Sequence, residues 1–270
     1  MSTKERADVA LVKRGLADSR EKAQAQIMAG LVFAGLKKIM KPSDTVAEGE
    51  DLSVRGSAQP FVSRGGLKLE KALDAFGADV KNAVAMDIGA ATGGFTDVLL
   101  KRGAAHVYAI DVGYGQLDWE LRNHPQVTVM ERTNARYLTP EHFAQRPSLT
   151  VMDVSFISIR LILPVAASLM GENGRFYTLI KPQFEAGRER VGKKGVVRDP
   201  LTHQAVLEEI VDFCPGFSYQ VKDLTFSPIT GPEGNIEFLA YIVPISVDSA
   251  AISKEFIKTV VEEAHFVLKK

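Results

Sequence analysis

Short apolar runs alternate with amphipathic segments along most of the chain. The runs with the composition of buried strands are residues 83–88, 106–111, 127–131, 149–153 and 175–180. The segments with the apolar spacing of helices are residues 67–76, 95–102, 117–122, 157–170, 201–213 and 252–268. This alternation predicts a parallel sheet with helices on both faces. Two late runs, residues 219–226 and 236–243, have no helix between them, so we predict that they pair antiparallel.

The first 55 residues have a different pattern, in which two helices precede several short strands. The helices are predicted over residues 7–14 and 19–30, with Met28 on the apolar face of the second. Among the strands that follow, Lys37 and Lys38 are predicted to lie in a turn.

A short polar segment with glycine and proline, residues 56–60, separates the two patterns. Such a composition is typical of linkers between domains. We therefore predict a small α+β domain over residues 1–55 and an α/β domain over residues 61–270, which is long enough to bury a substantial core.

The predicted strand 83–88 runs into a glycine-rich turn, Asp87-Ile88-Gly89-Ala90-Ala91-Thr92-Gly93-Gly94-Phe95. Three glycines within six residues let the backbone turn sharply and let a ligand approach the main-chain amide groups. The spacing is not the GxGxxG of dinucleotide-binding proteins, so it favours a nucleoside-containing cofactor, and a purely structural turn stays open as the alternative.

Four charged residues, Asp87, Asp111, Asp153 and Lys181, lie at the carboxyl ends of predicted strands, where ligands bind in open α/β sheets. Asp111 comes about 20 residues after the glycines, which is the usual place of a ribose-binding carboxylate; a helix N-cap or a turn residue is the alternative role. Asp153 and Lys181 should face one crevice, and such a pair is suited to proton handling or ribose positioning.

The formal net charge is zero, but the charge is unevenly distributed. Residues 4–41 contain nine Lys and Arg against four Asp and Glu, so the N-terminal end is basic. This patch either contacts RNA or is only a solvated face.

Several classes of protein are excluded or disfavoured. Cys214 is the only cysteine, which excludes an intramolecular disulfide and a cysteine-rich zinc site, and the five histidines have no metal-ligand spacing, so no metal is expected. No apolar run approaches the roughly 18 residues of a spanning helix, and the N-terminus has no apolar signal core. We expect a cytoplasmic protein without a membrane partner.

Near the N-terminus, Arg14-Gly15-Leu16-Ala17-Asp18-Ser19-Arg20-Glu21-Lys22-Ala23 and Ile27-Met28-Ala29-Gly30-Leu31-Val32 resemble the S4 RNA-binding domain. The order of two helices and a hairpin is also that of the S4 module. The resemblance implies RNA contacts from the second helix and the loop after it, with Arg14, Ser19, Arg20, Lys22 and Lys37 as candidates. Such side chains contact phosphates and position the RNA rather than read its sequence.

Five motifs of the predicted large domain belong together. They are Ser63-Arg64-Gly65-Gly66-Leu67-Lys68-Leu69, the glycine turn from Asp87 to Asp97, Asp153-Val154-Ser155-Phe156-Ile157-Ser158, Lys181-Pro182-Gln183-Phe184-Glu185 and Gly231-Pro232-Glu233-Gly234-Asn235-Ile236-Glu237. The set resembles the TlyA family, proteins often labelled hemolysins whose catalytic domain belongs with the FtsJ-like ribose 2'-O-methyltransferases. The resemblance implies a Rossmann-like methyltransferase sheet with an antiparallel last strand.

The same resemblance implies a cofactor, a substrate and site residues. S-adenosylmethionine would lie with its ribose at Asp111, its adenine near Asn134 and its methionine end around Asp87, Gly89, Ala90, Thr92, Gly93, Gly94 and Phe95. The substrate would be ribosomal RNA. The family's Lys-Asp-Lys-Glu tetrad falls on Lys68, Asp153, Lys181 and Glu237. Lys181 would take the acceptor hydroxyl, Asp153 would orient Lys181, and the other two would hold the ribose and the lysine. Ala91 replaces the family's usual serine, which should leave the backbone contacts intact.

Lys193, Lys194 and Arg198 lie in a glycine-containing loop soon after the tetrad lysine. The loop could contact an RNA backbone, close over the site, or be a solvated loop.

The leading hypothesis is an RNA ribose methyltransferase whose N-terminal domain docks the RNA. The alternatives are an RNA-binding protein with an inactive methyltransferase fold and a membrane-active hemolysin; the sequence gives the latter little support.

Overall fold

A computed structural model describes residues 4–28, 30–35, 37–54, 60–247 and 251–268. It divides the chain into two compact units, Met1–Pro60 and Phe61–Lys270. The predicted linker, residues 56–60, lies outside the described residues except for Pro60.

The N-terminal unit has two helices and two small antiparallel sheets. Its elements are β1 (Lys4–Arg6), α1 (Ala7–Lys13), α2 (Arg20–Met28), β2 (Val32–Ala34), β3 (Lys37–Lys38), β4 (Thr45–Ala47) and β5 (Leu52–Val54). β1 pairs with β4, and β2 lies between β3 and β5. A hydrophobic core of its own, which includes Leu11, Ile27 and Val32, holds the helices on the strands.

Two expectations for this unit are wrong in detail. Lys37 and Lys38 form the edge strand β3, in which Lys38 pairs with Phe33, rather than a turn. Exposed lysines are common on edge strands because they discourage pairing with another chain. Met28 is 74% exposed, since Ile27 fills the core and the next side chain on a helix points about 100° away from it.

The large unit is built on a seven-stranded sheet. Its elements are α3 (Gly66–Ala75), β6 (Val84–Ile88), α4 (Gly94–Lys101), β7 (His106–Ile110), α5 (Trp119–Arg122), β8 (Val127–Met130), β9 (Leu149–Met152), α6 (Leu163–Leu169), β10 (Arg175–Ile180), α7 (Pro182–Glu185), α8 (Pro200–Phe213), β11 (Tyr219–Phe226), β12 (Phe238–Pro244) and α9 (Lys254–Leu268). The strand order is β11-β12-β10-β9-β6-β7-β8. Strands β6 to β10 pair in parallel, and β12 runs antiparallel to both β10 and β11, as predicted.

Both faces of the sheet are buried. In β6, Met86 and Ile88 belong to one hydrophobic cluster and Ala85 to the other, because successive side chains of a strand point to opposite faces. The predicted helix 157–170 is shorter than expected: a 3-10 turn, Ile159–Leu161, precedes α6. Pro164 lies in the first turn of α6, the one place in a helix where a missing amide hydrogen costs nothing. The Cys214 thiol is buried, which raises its pKa to about 12.

Candidate active site

The four charged residues predicted at strand ends do lie along one edge of the sheet. Asp87 is near the end of β6, while Asp111, Asp153 and Lys181 directly follow β7, β9 and β10. These four strands are adjacent and parallel, so their carboxyl ends converge on one crevice.

The glycine turn after β6 brings three segments close together. Gly89 has φ +85°, and a Cβ atom there would lie 2.6 Å from the carbonyl oxygen of Asp153. At Gly94, a Cβ atom would lie 2.9 Å from the backbone nitrogen of Gly66, at the start of α3. The turn therefore depends on missing side chains to approach both the β9 end and the helix that carries Lys68.

Asp111 fastens the glycine turn to the loop after β7. Its Oδ2 accepts a hydrogen bond from the Ala91 backbone nitrogen at 2.9 Å, and its Oδ1 accepts one from the Gly113 nitrogen at 2.7 Å. Ala91 has φ +46°, an uncommon conformation for a residue with a side chain, and the bond to Asp111 helps to hold it. Asp111 thus acts on the turn directly as well as facing the crevice.

Two adjoining cavities occupy the crevice. The larger, of about 400 Å³, is lined by Ile88, Gly89, Ala91, Ile110, Asp111, Val112, Gln116, Thr133, Asn134, Ala135, Asp153, Val154, Ser155, Phe156, Ile157 and Ile162. The smaller, of about 180 Å³, is lined by Ser63, Gly65, Gly89, Ala90, Ala91, Thr92, Gly94, Phe95, Asp153 and Ser155. Gly89, Ala91, Asp153 and Ser155 line both cavities, which makes Asp153 the charged side chain shared by them.

Most of the predicted cofactor residues line one of these cavities: Gly89, Ala90, Thr92, Gly94, Phe95, Asp111 and Asn134. Asp87 and Gly93 line neither. Gly93 has φ +93° and is the N-cap residue that precedes α4, and a Cβ atom there would meet Leu117 at 2.9 Å. The packing of the turn therefore requires glycine at this position, and cofactor binding by Gly93 stays a prediction.

Asp87 is a fully buried carboxylic acid beneath the turn. Thr96 Oγ1 donates a hydrogen bond to its Oδ2 at 2.7 Å, and among the described residues nothing hydrogen-bonds to its buried Oδ1. Burial raises the pKa of Asp87 to about 7, and the nearby charges of Asp153 and Asp111 act in the same direction.

The pKa of Asp87 predicts how stability depends on pH. The folded-state pKa lies above the usual value near 4, so the folded protein favours the protonated form of Asp87. The contribution of this group to the free energy of unfolding is therefore fully present below about pH 4 and is lost as the pH rises towards 7. Asp87→Asn should therefore be more stable than wild type, and its advantage in unfolding free energy should be roughly 2 to 3 kcal/mol larger at pH 8 than at pH 5. Urea unfolding of both proteins at pH 5 and pH 8 measures this change, and Asp212→Asn, at an exposed position, is the control. If Asp87→Asn differed from wild type by the same free energy at both pH values, the prediction would be refuted.

The predicted tetrad forms a continuous chain of opposite charges. Lys68 Nζ lies 2.6 Å from Glu237 Oε2 and 3.6 Å from Asp153 Oδ2, and Lys181 Nζ lies 2.6 Å from Asp153 Oδ1. Lys68, Lys181 and Glu237 are buried, and only Asp153 is partly exposed. Buried charges are stable only when paired in this way, so each member depends on its neighbours.

Sequence reasoning gave no role to two polar residues of the motifs around the tetrad. Lys181 Nζ donates to Ser155 Oγ at 2.8 Å, which makes Ser155 a second anchor of the lysine. Glu185, buried at the end of α7, accepts from Ser158 Oγ at 2.6 Å and from the Ile159 nitrogen at 2.8 Å, and burial raises its pKa. Both lie in the quoted motifs, and that was their only sequence signal.

The aromatic rim of the larger cavity was also missed. Phe156 is 92% exposed, has φ +64°, and lies 5.2 Å from Phe184 between ring centroids. An exposed aromatic side chain on a strained backbone beside a charged site is a feature that periodicity cannot predict, because it contributes nothing to a core.

The candidate RNA residues of the N-terminal unit are partly engaged within that unit. Arg14 pairs with Glu5 and donates to the Ala47 carbonyl oxygen at 3.1 Å, while Arg20 pairs at 2.9 Å with the buried Asp8. The guanidinium groups of Arg6 and Arg20 hold the pKa of Asp8 well below its usual range. Of the other candidates, Ser19 directly precedes α2 and accepts a hydrogen bond from the Lys22 nitrogen at 3.2 Å, while Lys22 and Lys37 are exposed on α2 and β3.

No helix in the described ranges has the length and apolar character needed to cross a membrane. Over the same residues, no group of three or more His, Cys, Asp or Glu could hold a metal ion.

Comparison with known proteins gives consistent results. Residues 61–242 match the FtsJ-like methyltransferases. YqxC of Bacillus subtilis, a proposed rRNA methyltransferase, is 51% identical over 272 residues, which span 100% of this chain and 97% of YqxC. The 16S/23S rRNA (cytidine-2'-O)-methyltransferase TlyA of Mycobacterium tuberculosis is 44% identical over 243 residues, 90% of this chain and 91% of TlyA.

Among solved structures, a proposed hemolysin from Streptococcus thermophilus superposes with a TM-score of 0.78 at 46% identity, covering 100% of this chain and 98% of that one. The family resemblance and the fold class predicted from the sequence are therefore confirmed. The protein belongs to the FtsJ-like methyltransferase family.

Proposed function

We propose that this protein transfers a methyl group from S-adenosylmethionine to a ribose 2'-hydroxyl of ribosomal RNA. The observation that carries the proposal is the ion-pair chain Glu237–Lys68–Asp153–Lys181, which meets the larger cavity at Asp153. The names of the relatives YqxC and TlyA support ribosomal RNA as the substrate. A ribosomal substrate would place the activity in the cytoplasm.

The residues around the crevice fit S-adenosylmethionine. The larger cavity combines a carboxylate suited to a ribose diol, Asp111, with the side-chain amide of Asn134 and several apolar residues suited to an adenine ring. The carboxylates of Asp111 and Asp153 place negative charge on the wall of the larger cavity. When bound, the cofactor supplies a sulfonium-activated methyl group, whose positive charge this environment favours.

The tetrad then has to orient a weak nucleophile and remove its proton. Lys181 Nζ, held by Asp153 and Ser155, is the group that would bind the ribose hydroxyl and, as the neutral amine, take its proton to become an ammonium. An ammonium or amine group has further hydrogen-bonding directions beyond those two. Lys68 pairs with both acids and so fixes Asp153, while Glu237 neutralises Lys68.

The N-terminal unit would dock the RNA. We propose that residues 1–55 form an S4-type domain, joined by residues 56–60 to the methyltransferase domain of residues 61–270. Arg14, Ser19, Arg20, Lys22 and Lys37 are the proposed contacts. Asp8 and Glu5 hold two of these arginines in place, so their guanidinium groups are pre-ordered for phosphate contacts.

The direct test is a transfer assay with methyl-labelled S-adenosylmethionine on unmodified 16S and 23S rRNA and on ribosomal subunits. Nuclease digestion and mass spectrometry should then identify a 2'-O-methyl nucleoside. RNA binding without transfer would indicate an inactive fold, and label on a base would contradict ribose methylation.

A substitution at Asp111 tests the cofactor site. Asp111→Ala should weaken S-adenosylmethionine binding by roughly 10- to 100-fold, because a hydrogen bond to a charged group contributes about 1.5 to 3 kcal/mol. Calorimetry measures the change. The control is Asp118→Ala, since Asp118 caps α5 by accepting from the Glu120 nitrogen at 2.9 Å and lines neither cavity. Equal affinity for Asp111→Ala and wild type would remove Asp111 from the cofactor site.

A further inference from the structure

Residues 192–199, here called the basic loop, lie between helix α7, which directly follows Lys181, and helix α8. Four cations, Arg190, Lys193, Lys194 and Arg198, line a cavity of about 400 Å³ on this surface. Arg190 is already committed, since it pairs with Glu209 at 3.0 Å. Among the described residues, Lys193, Lys194 and Arg198 are exposed and have no ion-pair partner.

The acid at the end of the loop lines the same cavity, but in the described residues it forms no ion pair with these cations. The carboxylate of Asp199 caps α8, where it accepts from the Thr202 nitrogen at 3.0 Å and from Thr202 Oγ1 at 2.7 Å. The loop therefore presents a local excess of positive charge on a protein whose formal net charge is zero. Such an excess attracts a polyanion.

The basic loop is also fastened down, unlike an ordinary solvated loop. Val196 and Val197 are buried at its centre, between the exposed lysines and Arg198. The buried side chain of Asn235 holds its backbone twice: Oδ1 accepts from the Val197 nitrogen at 3.0 Å, and Nδ2 donates to the Gly195 carbonyl oxygen at 2.9 Å. His203 Nε2 lies 3.2 Å from the Val197 carbonyl oxygen. Fixed cations lose less conformational freedom on binding than mobile ones.

Asn235 also connects the loop to the candidate active site, because it lies two residues before Glu237. We infer that the basic loop binds the phosphodiester backbone of the RNA substrate through Lys193, Lys194 and Arg198, and that Asn235 positions it. This inference rests on the proposed function. It makes the methyltransferase unit a second RNA-contacting surface, placed next to the segment that completes the tetrad.

The test measures binding of deproteinised 16S and 23S rRNA at several salt concentrations. Each lost phosphate contact lowers the slope of log affinity against log salt by about 0.7 to 0.9, so Lys193→Gln with Lys194→Gln should lower it by about 1.5. At 0.1 M salt this corresponds to about 30-fold weaker binding. The control is Lys81→Gln with Lys222→Gln, which removes the same charge from exposed positions outside the loop. S-adenosylmethionine affinity should not change in either protein.

The role of Asn235 is tested by a double-mutant cycle. Asn235→Ala alone should lower the salt slope, yet it should have little further effect when Lys193 and Lys194 are already glutamine, because it acts through them. Additive effects would show that Asn235 only stabilises the unit, and melting temperatures of all variants check folding.

Three outcomes would overturn the inference. One is an unchanged slope in the lysine variant, and another is an equal loss in the control. The third is that the lysine variant loses binding to phosphatidylglycerol vesicles while its RNA binding is unchanged, which would indicate that the basic loop contacts a membrane surface instead. Failure of the proposed function would be seen differently. Wild type would then bind rRNA without methylating it, and the difference in salt slope between wild type and the lysine variant would still be measurable.

Discussion

Replacing Lys181 with methionine should lower methyl transfer to ribosomal RNA by roughly 10²- to 10⁴-fold, the usual contribution of a general acid or base. S-adenosylmethionine affinity should change little, because Lys181 lines neither cavity and contacts the site through Asp153 and Ser155. Single-turnover rates and calorimetry separate the two effects. Retained turnover in this variant would exclude Lys181 from the reaction.

Lys181→Arg sharpens the test, because a guanidinium keeps the positive charge but does not give up its proton in proteins. If Lys181 takes the hydroxyl proton, the arginine variant should be as slow as the methionine variant. If only its charge matters, arginine should restore much of the rate. Lys258→Met is the matched control, since Lys258 forms surface ion pairs with Glu255 and Glu262 outside the tetrad.

Removal of residues 1–60 should weaken binding to ribosomal RNA by a few hundred-fold at 0.1 M salt. The loss of about three phosphate contacts would lower the salt slope by about 2 to 2.7, which gives this change in affinity. Filter binding of full-length and truncated protein over a range of salt concentrations measures both quantities.

The large unit should survive the truncation, because its hydrophobic clusters consist of residues from 61 onwards and the N-terminal unit has a separate core. Unchanged S-adenosylmethionine affinity and an unchanged thermal transition of the large unit are therefore the expected controls. If the truncated protein bound RNA with the original affinity and slope, the N-terminal basic patch would be a solvated face only.

The parts of the fold that the sequence predicts are those encoded locally. Asp87, Asp111, Asp153 and Lys181 lie at or next to the ends of apolar runs, and this position was sufficient to expect a common crevice. The antiparallel pairing of β11 and β12 followed from the lack of a helix between them. In both cases a few residues that are neighbours in the sequence are sufficient for the prediction.

The missed features depend on contacts between distant segments. Ser155 meets Lys181 across 26 residues and Asn235 meets Val197 across 38, so no local pattern reveals either bond. Met28 has the apolar character of a core residue, but the end of α2 and the core position of Ile27 leave it outside. Side-chain direction at an element's last residue is set by tertiary packing.

The close approach at Gly89 limits how this enzyme can vary. The carbonyl oxygen that a side chain at this position would strike belongs to Asp153, whose carboxylate pairs with both lysines of the tetrad. A substitution at Gly89 would therefore disturb cofactor affinity and turnover together, and selection could not adjust one without the other. We expect adaptive changes in cofactor affinity to arise instead at the exposed rim, where Val112 lines the larger cavity without touching the tetrad.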